Sequence, residues 1–200
     1  MMKIKHNPLT LIDKEIREDP LNLAYTKAGI NPIYQVDAEA SIVLIGQAPG
    51  LKAQQNGIPF LDLSGDRLRI WLGVDKEAFY DNKQFAILPM DFYFPGSGKH
   101  GDLPPRPFFA QKYHARILNE LHNIKLIILI GQYAQHYYLK AYQTLSLTEI
   151  VKENGRLPAP YFALPHPSPR NNIWLKKNPW FEEDILPELK DRVKEVLLNL

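Results

Sequence analysis

Short apolar segments that alternate with helical segments constrain the fold of this chain most strongly. Residues 42–45, 85–90, 126–130 and 161–164 are short apolar runs, and segments with helical periodicity or helix-capping residues lie between them. Because unbroken apolar runs are typical of strands buried on both faces, the pattern favours a parallel sheet. Parallel strands need helical crossovers, which cover the sheet. We therefore predict an α/β fold, with a mainly parallel sheet between helices.

The length of the chain predicts one domain. Its 200 residues suffice for a sizeable core, and the hydrophobic share of 45% is ordinary for a globular protein. The sequence shows no internal repeat and no linker. We assign N-terminal helices to residues 1–36, the core to residues 41–171, and a C-terminal helix to residues 180–199 that is bent or interrupted at Pro187. We expect a monomer.

The composition excludes several classes of function. The chain has no cysteine, which rules out disulfides, thiolate metal sites, cysteine-ligated iron–sulfur clusters and a cysteine nucleophile. The histidines lack a metal-ligand spacing, so we expect neither a metal nor a cofactor. No stretch approaches the roughly 18 apolar residues of a membrane span or has the pattern of a signal peptide, so we expect a cytoplasmic protein. Because the net charge is only +2, any nucleic-acid binding needs a local basic face.

The loop after the first predicted strand carries candidate ligand-binding groups. The strand stops at GQAPG (46–50), and a polar loop then leads to Phe60, Asp62 and the dipeptide Ser64-Gly65. Open α/β folds bind ligands at the carboxyl edge of the sheet, so the GQAPG backbone, the Phe60 ring and the Asp62 carboxylate are candidates. Phe60 is equally compatible with a core position. Asp62 is equally compatible with a cap of the helix that starts at Ser64-Gly65.

A second unusual loop, LPHPSPRN (164–171), follows the last predicted strand. Prolines on either side hold the backbone of His166 and Ser168 stiff and extended, which preorganises an imidazole and a hydroxyl. Since parallel strands end at the same edge of a sheet, we expect this loop and GQAPG to face one cleft.

The two loops resemble the two signature motifs of the uracil-DNA glycosylase superfamily. The matching segments are GQAPG…GIPFLDLSG and LPHPSPRN, and the resemblance covers roughly residues 41–171. The first motif is similar to that of branches that usually carry an iron–sulfur cluster, although this chain lacks the cluster cysteines. The Arg-Asn extension of the second motif is similar to that of the single-strand-selective branch.

This resemblance implies a three-layer α/β/α sandwich with a central four-stranded, mainly parallel sheet. It also implies a base-excision repair enzyme that binds DNA and hydrolyses the N-glycosidic bond of a flipped-out damaged base. By the same resemblance, the backbone of Gly46, Gln47 and Ala48 is expected to contact the base, and Phe60 to stack on it. His166 is expected to hydrogen-bond the oxyanion that develops on the departing base, which stabilises the transition state selectively.

Further DNA contacts are implied for the second motif and for the loop at 94–107. Ser168 is expected to bind a flanking phosphate. The tripeptide Pro169, Arg170 and Asn171 is expected to wedge into the duplex and fill the space left by the flipped nucleotide. The residues expected to contact backbone phosphates from the loop are Lys99, His100 and Arg106.

Two positions depart from the pattern of the superfamily. Ala48 stands where other branches place a polar residue, so Asp62 becomes the candidate carboxylate for activating water or stabilising a cation. The segment 85–94 has no Asn to read uracil, and its only ionisable residue, Asp91, accepts hydrogen bonds but does not donate them when ionised. We therefore place Asp91 at the base, keep uracil as the default substrate, and keep hypoxanthine, xanthine or another lesion as alternatives.

Two other classes of function stay open. One is a catalytically weak or inactive member that binds DNA or damaged nucleotides. The other is an enzyme that acts on a free nucleoside or nucleobase in the same cleft.

Overall fold

The computed structural model describes residues 7–99 and 101–199. The strands in these ranges are β1 (Ile42–Ile45), β2 (Phe85–Ile87), β3 (Ser97–Gly98), β4 (Gly101–Asp102), β5 (Leu126–Ile130) and β6 (Tyr161–Leu164). The α-helices are α1 (Pro8–Glu18), α2 (Leu23–Lys27), α3 (Leu51–Asn56), α4 (Leu63–Leu72), α5 (Lys76–Tyr80), α6 (Phe109–Asn119), α7 (Gln132–Tyr138), α8 (Leu147–Lys152), α9 (Asn172–Lys177) and α10 (Leu186–Leu198).

Four parallel strands form the central sheet, in the order β2-β1-β5-β6. The two central strands, β1 and β5, are buried along their whole length, which explains their unbroken aliphatic sequences. Helices pack against this sheet in a three-layer α/β arrangement. The predicted fold class is therefore confirmed.

Strand β2 ends at Ile87, before the predicted end at residue 90. The chain still follows β1, because the N–H of Leu88 donates to the carbonyl of Leu44 and that of Met90 to Gly46. Pro89, between them, has no N–H, and an N–H at this position would point away from β1.

Helix α3 and a hairpin lie where the sequence predicts loops, and helix α9 lies in a segment for which no element is predicted. Helix α3 buries only Ala53, and no residue of α9 is buried, so neither presents the apolar stripe that reveals a helix in a sequence. The loop at 94–107 contains the antiparallel pair β3–β4. Two-residue strands are too short for a sequence pattern to show.

The predicted helices at both ends of the chain are present in the described ranges. Helix α1 begins at Pro8 with the side chain of Asn7 as its N-terminal cap, and residues 1–6 of the predicted 1–36 segment lie outside the described part. Near the C-terminus, a π-helical turn at Phe181–Ile185 leads into α10, and Pro187 stands in the first turn of α10, where its missing N–H is tolerated. No helix in the described ranges is long and apolar enough to cross a membrane.

Candidate active site

The two predicted loops meet at the carboxyl edge of the sheet. A narrow cavity of about 40 Å³ is lined by residues from both, and the predicted base-binding residues among them are Gly46, Gln47, Ala48 and Phe60, opposite His166. A wider, open cleft of about 490 Å³ adjoins it, because Gln47, Ala48 and His166 also line this second space. The four predicted DNA-binding residues of the second motif lie along the wider cleft: Ser168, Pro169, Arg170 and Asn171.

Phe60 forms one wall of the narrow cavity from a strained backbone. Its φ of 54° lies in the left-handed region, which is rare for residues other than glycine and concentrates at functional sites. The hydroxyl of Tyr80 donates to the carbonyl of the preceding Pro59 at 2.9 Å, and the Phe60 ring meets Phe79 edge to face. The ring tip lies 3.5 Å from the position that a Cβ on Gly46 would take, so the ring covers the start of the GQAPG loop.

His166 is held as a neutral hydrogen-bond donor. Its Nδ1 accepts the backbone N–H of Ser168 at 3.2 Å, so the neutral ring carries its proton on Nε2. Burial lowers the pKa of His166 below its usual value, and the negative charges of Asp62 and Asp102 oppose this only in part. The imidazole is thus neutral near pH 7, with Nε2–H available to a ligand.

Two side chains hold the backbone of the second motif. The amide of Asn171 donates to the carbonyl of His166 at 2.7 Å, so this side chain supports the loop instead of extending as the predicted wedge. Arg67 of α4 donates to the carbonyl of Ser168 at 3.1 Å and to the side chain of Asn172 at 2.8 Å. Sequence reasoning missed Arg67, because nothing in the local pattern separates it from an ordinary surface arginine.

The remaining part of the predicted wedge is exposed. Pro169 and Arg170 form a short 3₁₀ turn, which starts where the Ser168 hydroxyl accepts the N–H of Arg170 at 3.2 Å. The guanidinium of Arg170 lies beside Gly101, and a Cβ there would be 2.5 Å from its Nη1. The turn and the β3–β4 hairpin therefore both line the wider cleft, and Arg170 lies next to the hairpin at Gly101.

Asp62 caps helix α4. Its Oδ1 accepts the N–H of Gly65 at 2.9 Å, and Asp62 lines neither of the two spaces at the sheet edge. Its charge still acts on His166, as the effect on the pKa of the imidazole shows. The capping interpretation is therefore realised in the structure, while the water-activating role of Asp62 stays a prediction. The Oδ2 atom of Asp62 lies 3.9 Å from the position that a Cβ on Gly50 would take, beside the GQAPG loop.

Asp91 does not contact the base cavity, contrary to the prediction. Its carboxylate is fully buried and accepts hydrogen bonds from Nε and Nη2 of Arg106, both at 2.8 Å, and from the backbone N–H groups of Arg106 and Tyr93. The phosphate contact of Arg106 stays a prediction; its guanidinium also donates to the carbonyl of Leu21 and the side chain of Asn22. Buried charges are normally paired, and this pair anchors the base of the 94–107 loop.

The β3–β4 hairpin is tied to the first motif. The side chain of Gln47 donates to the carbonyl of Leu103 at 2.8 Å, and the N–H of Leu103 donates to the carbonyl of Gly96 at 2.9 Å. Lys99 is exposed at the turn of the hairpin, where the predicted phosphate contact is sterically open, and His100 lies outside the described residues. Asp102, which sequence reasoning missed, lines the wider cleft together with His166.

The structure defines an α/β protein with a cleft at the carboxyl edge of a four-stranded parallel sheet, and this cleft is lined by an aromatic ring and a neutral histidine. A family model described as the Uracil DNA glycosylase superfamily matches residues 33–190. The chain belongs to this superfamily. Membership indicates a DNA glycosylase of the hydrolase class with a role in DNA repair. Within residues 7–99 and 101–199, no group of three or more His, Asp or Glu side chains is placed to hold a metal ion.

Proposed function

We propose that this protein is a DNA N-glycosylase that hydrolyses the bond between the sugar and a damaged base flipped out of DNA, with uracil as its substrate. The observation that carries the proposal is the pairing of His166 with Phe60 across one narrow cavity. A flipped base that stacks on the Phe60 ring presents its carbonyl edge to the imidazole. Base flipping exposes the target atoms that are inaccessible inside a duplex.

The neutral state of His166 suits this chemistry. When the bond between C1′ and the base nitrogen breaks, its electron pair leaves with the base and negative charge builds up on a base carbonyl. A hydrogen bond from Nε2–H to that oxygen strengthens as the charge develops, so it stabilises the transition state more than the bound substrate. Water then supplies the oxygen that bonds to C1′, and its proton passes to solvent or to the released base.

The shape of the cavity favours a single-ring base. A water molecule needs about 10–15 Å³ of such space, so the cavity of about 40 Å³ holds roughly three. The wall beyond the GQAPG loop is apolar, with Ile33, Ile87 and Pro89, and the one side-chain amide of the lining, that of Gln47, donates to the carbonyl of Leu103. We infer that the base is selected by ring size and by backbone groups, which supports uracil over hypoxanthine and xanthine.

The wider cleft supports DNA over a free nucleoside as the substrate. It extends past the base cavity along Ser168, Pro169 and Arg170, which provide a hydroxyl and a guanidinium for phosphate oxygens. A free nucleoside carries no phosphate for these two groups to bind.

A base-release assay tests this function. The substrates are single- and double-stranded oligonucleotides that carry uracil, hypoxanthine or xanthine. They are incubated with the wild-type protein and with the variants His166→Ala, Phe60→Ala and His122→Ala. His122→Ala is the matched control, because it removes an exposed histidine remote from the cleft. We expect release of uracil by the wild type and the control, and a loss of about 10²–10³-fold in His166→Ala, as for one oxyanion donor. Absence of base release by the wild type from every substrate would refute the proposal.

One observation favours a second candidate, a damage-binding protein without turnover. Ala48 offers no polar side chain at the first motif, and Asp62 is engaged as a helix cap. This alternative predicts tight binding of uracil-containing DNA over undamaged DNA with no release of the base. A gel-shift titration beside the release assay separates the two.

A further inference from the structure

The first motif has no carboxylate to activate the attacking water, since the only polar side chain in GQAPG is the amide of Gln47, which donates to the carbonyl of Leu103. Ala48 lines both the narrow cavity and the wider cleft, but it carries only a methyl group. Asp62, the first acidic residue after GQAPG in the sequence, caps α4 with its Oδ1 and lines neither space. A carboxylate that lines this cleft and activates water would therefore have to come from another part of the chain.

The β3–β4 hairpin delivers such a carboxylate. Asp102 belongs to β4 and pairs with Ser97 of β3, and it lines the wider cleft together with Gln47, Ala48 and His166. Its Oδ2 lies 3.9 Å from the position that a Cβ on Gly50 would take, and the Oδ2 of Asp62 lies at the same distance from that position. The carboxylate of Asp102 therefore stands beside the GQAPG loop, on the side where the sugar of a flipped nucleotide would enter.

The hairpin holds Asp102 in place through several independent contacts. At its base, the buried pair of Asp91 and Arg106 fixes the backbone of the 94–107 loop. Leu103 follows Asp102 directly, and both of its backbone groups form hydrogen bonds. Its carbonyl accepts from the side chain of Gln47 in the first motif, and its N–H donates to the carbonyl of Gly96 across the hairpin. A group on a hairpin fixed at both ends is preorganised, which a catalytic carboxylate requires.

The charge of Asp102 also reaches the catalytic imidazole. Burial lowers the pKa of His166, and the negative charges of Asp62 and Asp102 both act against that effect. Of these two acids, only Asp102 lines the wider cleft together with His166. An anion that faces both a donor and an open cleft is suited to stabilising positive charge on a sugar between them.

We propose that Asp102 is a catalytic residue that binds the attacking water and stabilises the cationic sugar in the transition state. This inference rests on the proposed glycosylase function. The bond from C1′ to the base nitrogen breaks and its electron pair leaves with the base, which His166 stabilises. The water oxygen bonds to C1′, and the water proton passes to the carboxylate of Asp102 and from there to solvent.

Single-turnover base release from a uracil-containing oligonucleotide tests the role of Asp102. Asp102→Asn removes the charge but keeps the size of the side chain, at an exposed position where folding does not depend on it. We expect its rate to fall about 10²–10⁴-fold, the range for general acid–base groups. Its Kd for DNA with an uncleavable abasic analogue should stay the same or tighten, since losing a negative charge does not weaken phosphate binding. Asp102→Glu, which keeps a carboxylate on a longer arm, should recover part of the rate.

Two comparison variants make the result specific. Asp75→Asn makes the same chemical change at the exposed cap of α5, outside the cleft, and should leave the rate unchanged. Asp62→Asn keeps an oxygen that can cap α4 and tests the competing carboxylate. A wild-type rate in Asp102→Asn, or a rate loss in Asp62→Asn alone, overturns the assignment while the glycosylase function stands. No base release by the wild type removes both proposals.

Discussion

Gly65 and Phe60 approach each other so closely that no side chain fits at position 65. A Cβ on Gly65 would lie 1.8 Å from the carbonyl oxygen of Phe60 and 2.7 Å from its carbonyl carbon. Real Cβ atoms essentially never come within 3.0 Å of other heavy atoms. The first turn of α4 thus presses on the residue that walls the base cavity and helps to hold its left-handed backbone.

Replacement of Gly65 by alanine should disrupt both stability and function. The clash is with backbone, which cannot rotate away, so we expect a loss of about 1–3 kcal/mol or more in the free energy of unfolding. The rate of base release should fall by more than the increase in unfolded protein explains, because the added methyl group displaces Phe60 in the folded protein. Urea unfolding and base release measure the two effects. Gly155→Ala is the matched control, since nothing lies within 4 Å of the added methyl group, and equal behaviour of the two variants would contradict the argument.

Replacement of Arg106 by alanine should strongly destabilise the protein. It leaves the fully buried carboxylate of Asp91 without its partner, and removal of one member of a buried ion pair costs about 3–5 kcal/mol. The matched control is Arg156→Ala, whose exposed pair with Glu153 is worth about 0–1 kcal/mol. Chemical unfolding compares them. A small effect at Arg106 would mean that the pair does not anchor the 94–107 loop.

The fold and one half of the site are predictable from the sequence because they rest on local patterns. Apolar runs identify β1 and β5, and the proline-rich string identifies the loop of His166. Asp91 and Asp102 were not predictable in the same way. An ionisable residue after a strand has the same sequence signature whether it faces a ligand or a buried arginine 15 residues away, and only the packing of the 94–107 loop decides. The role of Asp62 was left between cap and catalyst for the same reason.

Acid should destabilise the protein through His114. This ring is buried, with Nδ1 accepting the hydroxyl of Tyr138 and Nε2–H donating to the carbonyl of Pro89, and its burial lowers its pKa from 6.5 to about 4. The unfolded chain binds the proton of His114 more tightly than the folded protein does. The contribution of the neutral, buried ring to the free energy of unfolding is therefore fully present above pH 6.5. It is lost as the pH falls toward 4, and it amounts to roughly 3 kcal/mol.

Urea unfolding between pH 7 and pH 4 measures this contribution. His114→Gln has no titrating ring, so its free energy of unfolding should fall less steeply over this interval than that of the wild type. Its value at pH 7 should be lower, because the substitution alters the two hydrogen bonds of the ring. Since Pro89 lines the base cavity, base release should also weaken in this variant. Parallel pH curves for the two proteins would exclude His114 as the source.

Arg67 should act on catalysis by positioning the second motif. Its guanidinium fixes the carbonyl of Ser168, two residues after His166, without contacting the base cavity. Displacement of a reacting group by about 1 Å costs around 10²-fold in rate, so we expect Arg67→Ala to lower the single-turnover rate by up to that factor. Binding of uncleavable DNA should change much less. Arg116→Ala, which removes an exposed ion pair on α6, controls for the loss of charge and should keep the rate.

Arg170 should contribute to DNA affinity through phosphate. It is exposed on the wider cleft, where it borders Gly101 of the hairpin. Each phosphate neutralised by a basic side chain contributes about one counterion to the salt dependence of binding, so Arg170→Ala should weaken binding and reduce the slope of log K against log salt by about one. Arg192→Ala, at an ion pair on α10, is the matched control for removing one arginine. Fluorescence anisotropy at several salt concentrations measures both slopes, and an unchanged slope in Arg170→Ala would remove this residue from the DNA interface.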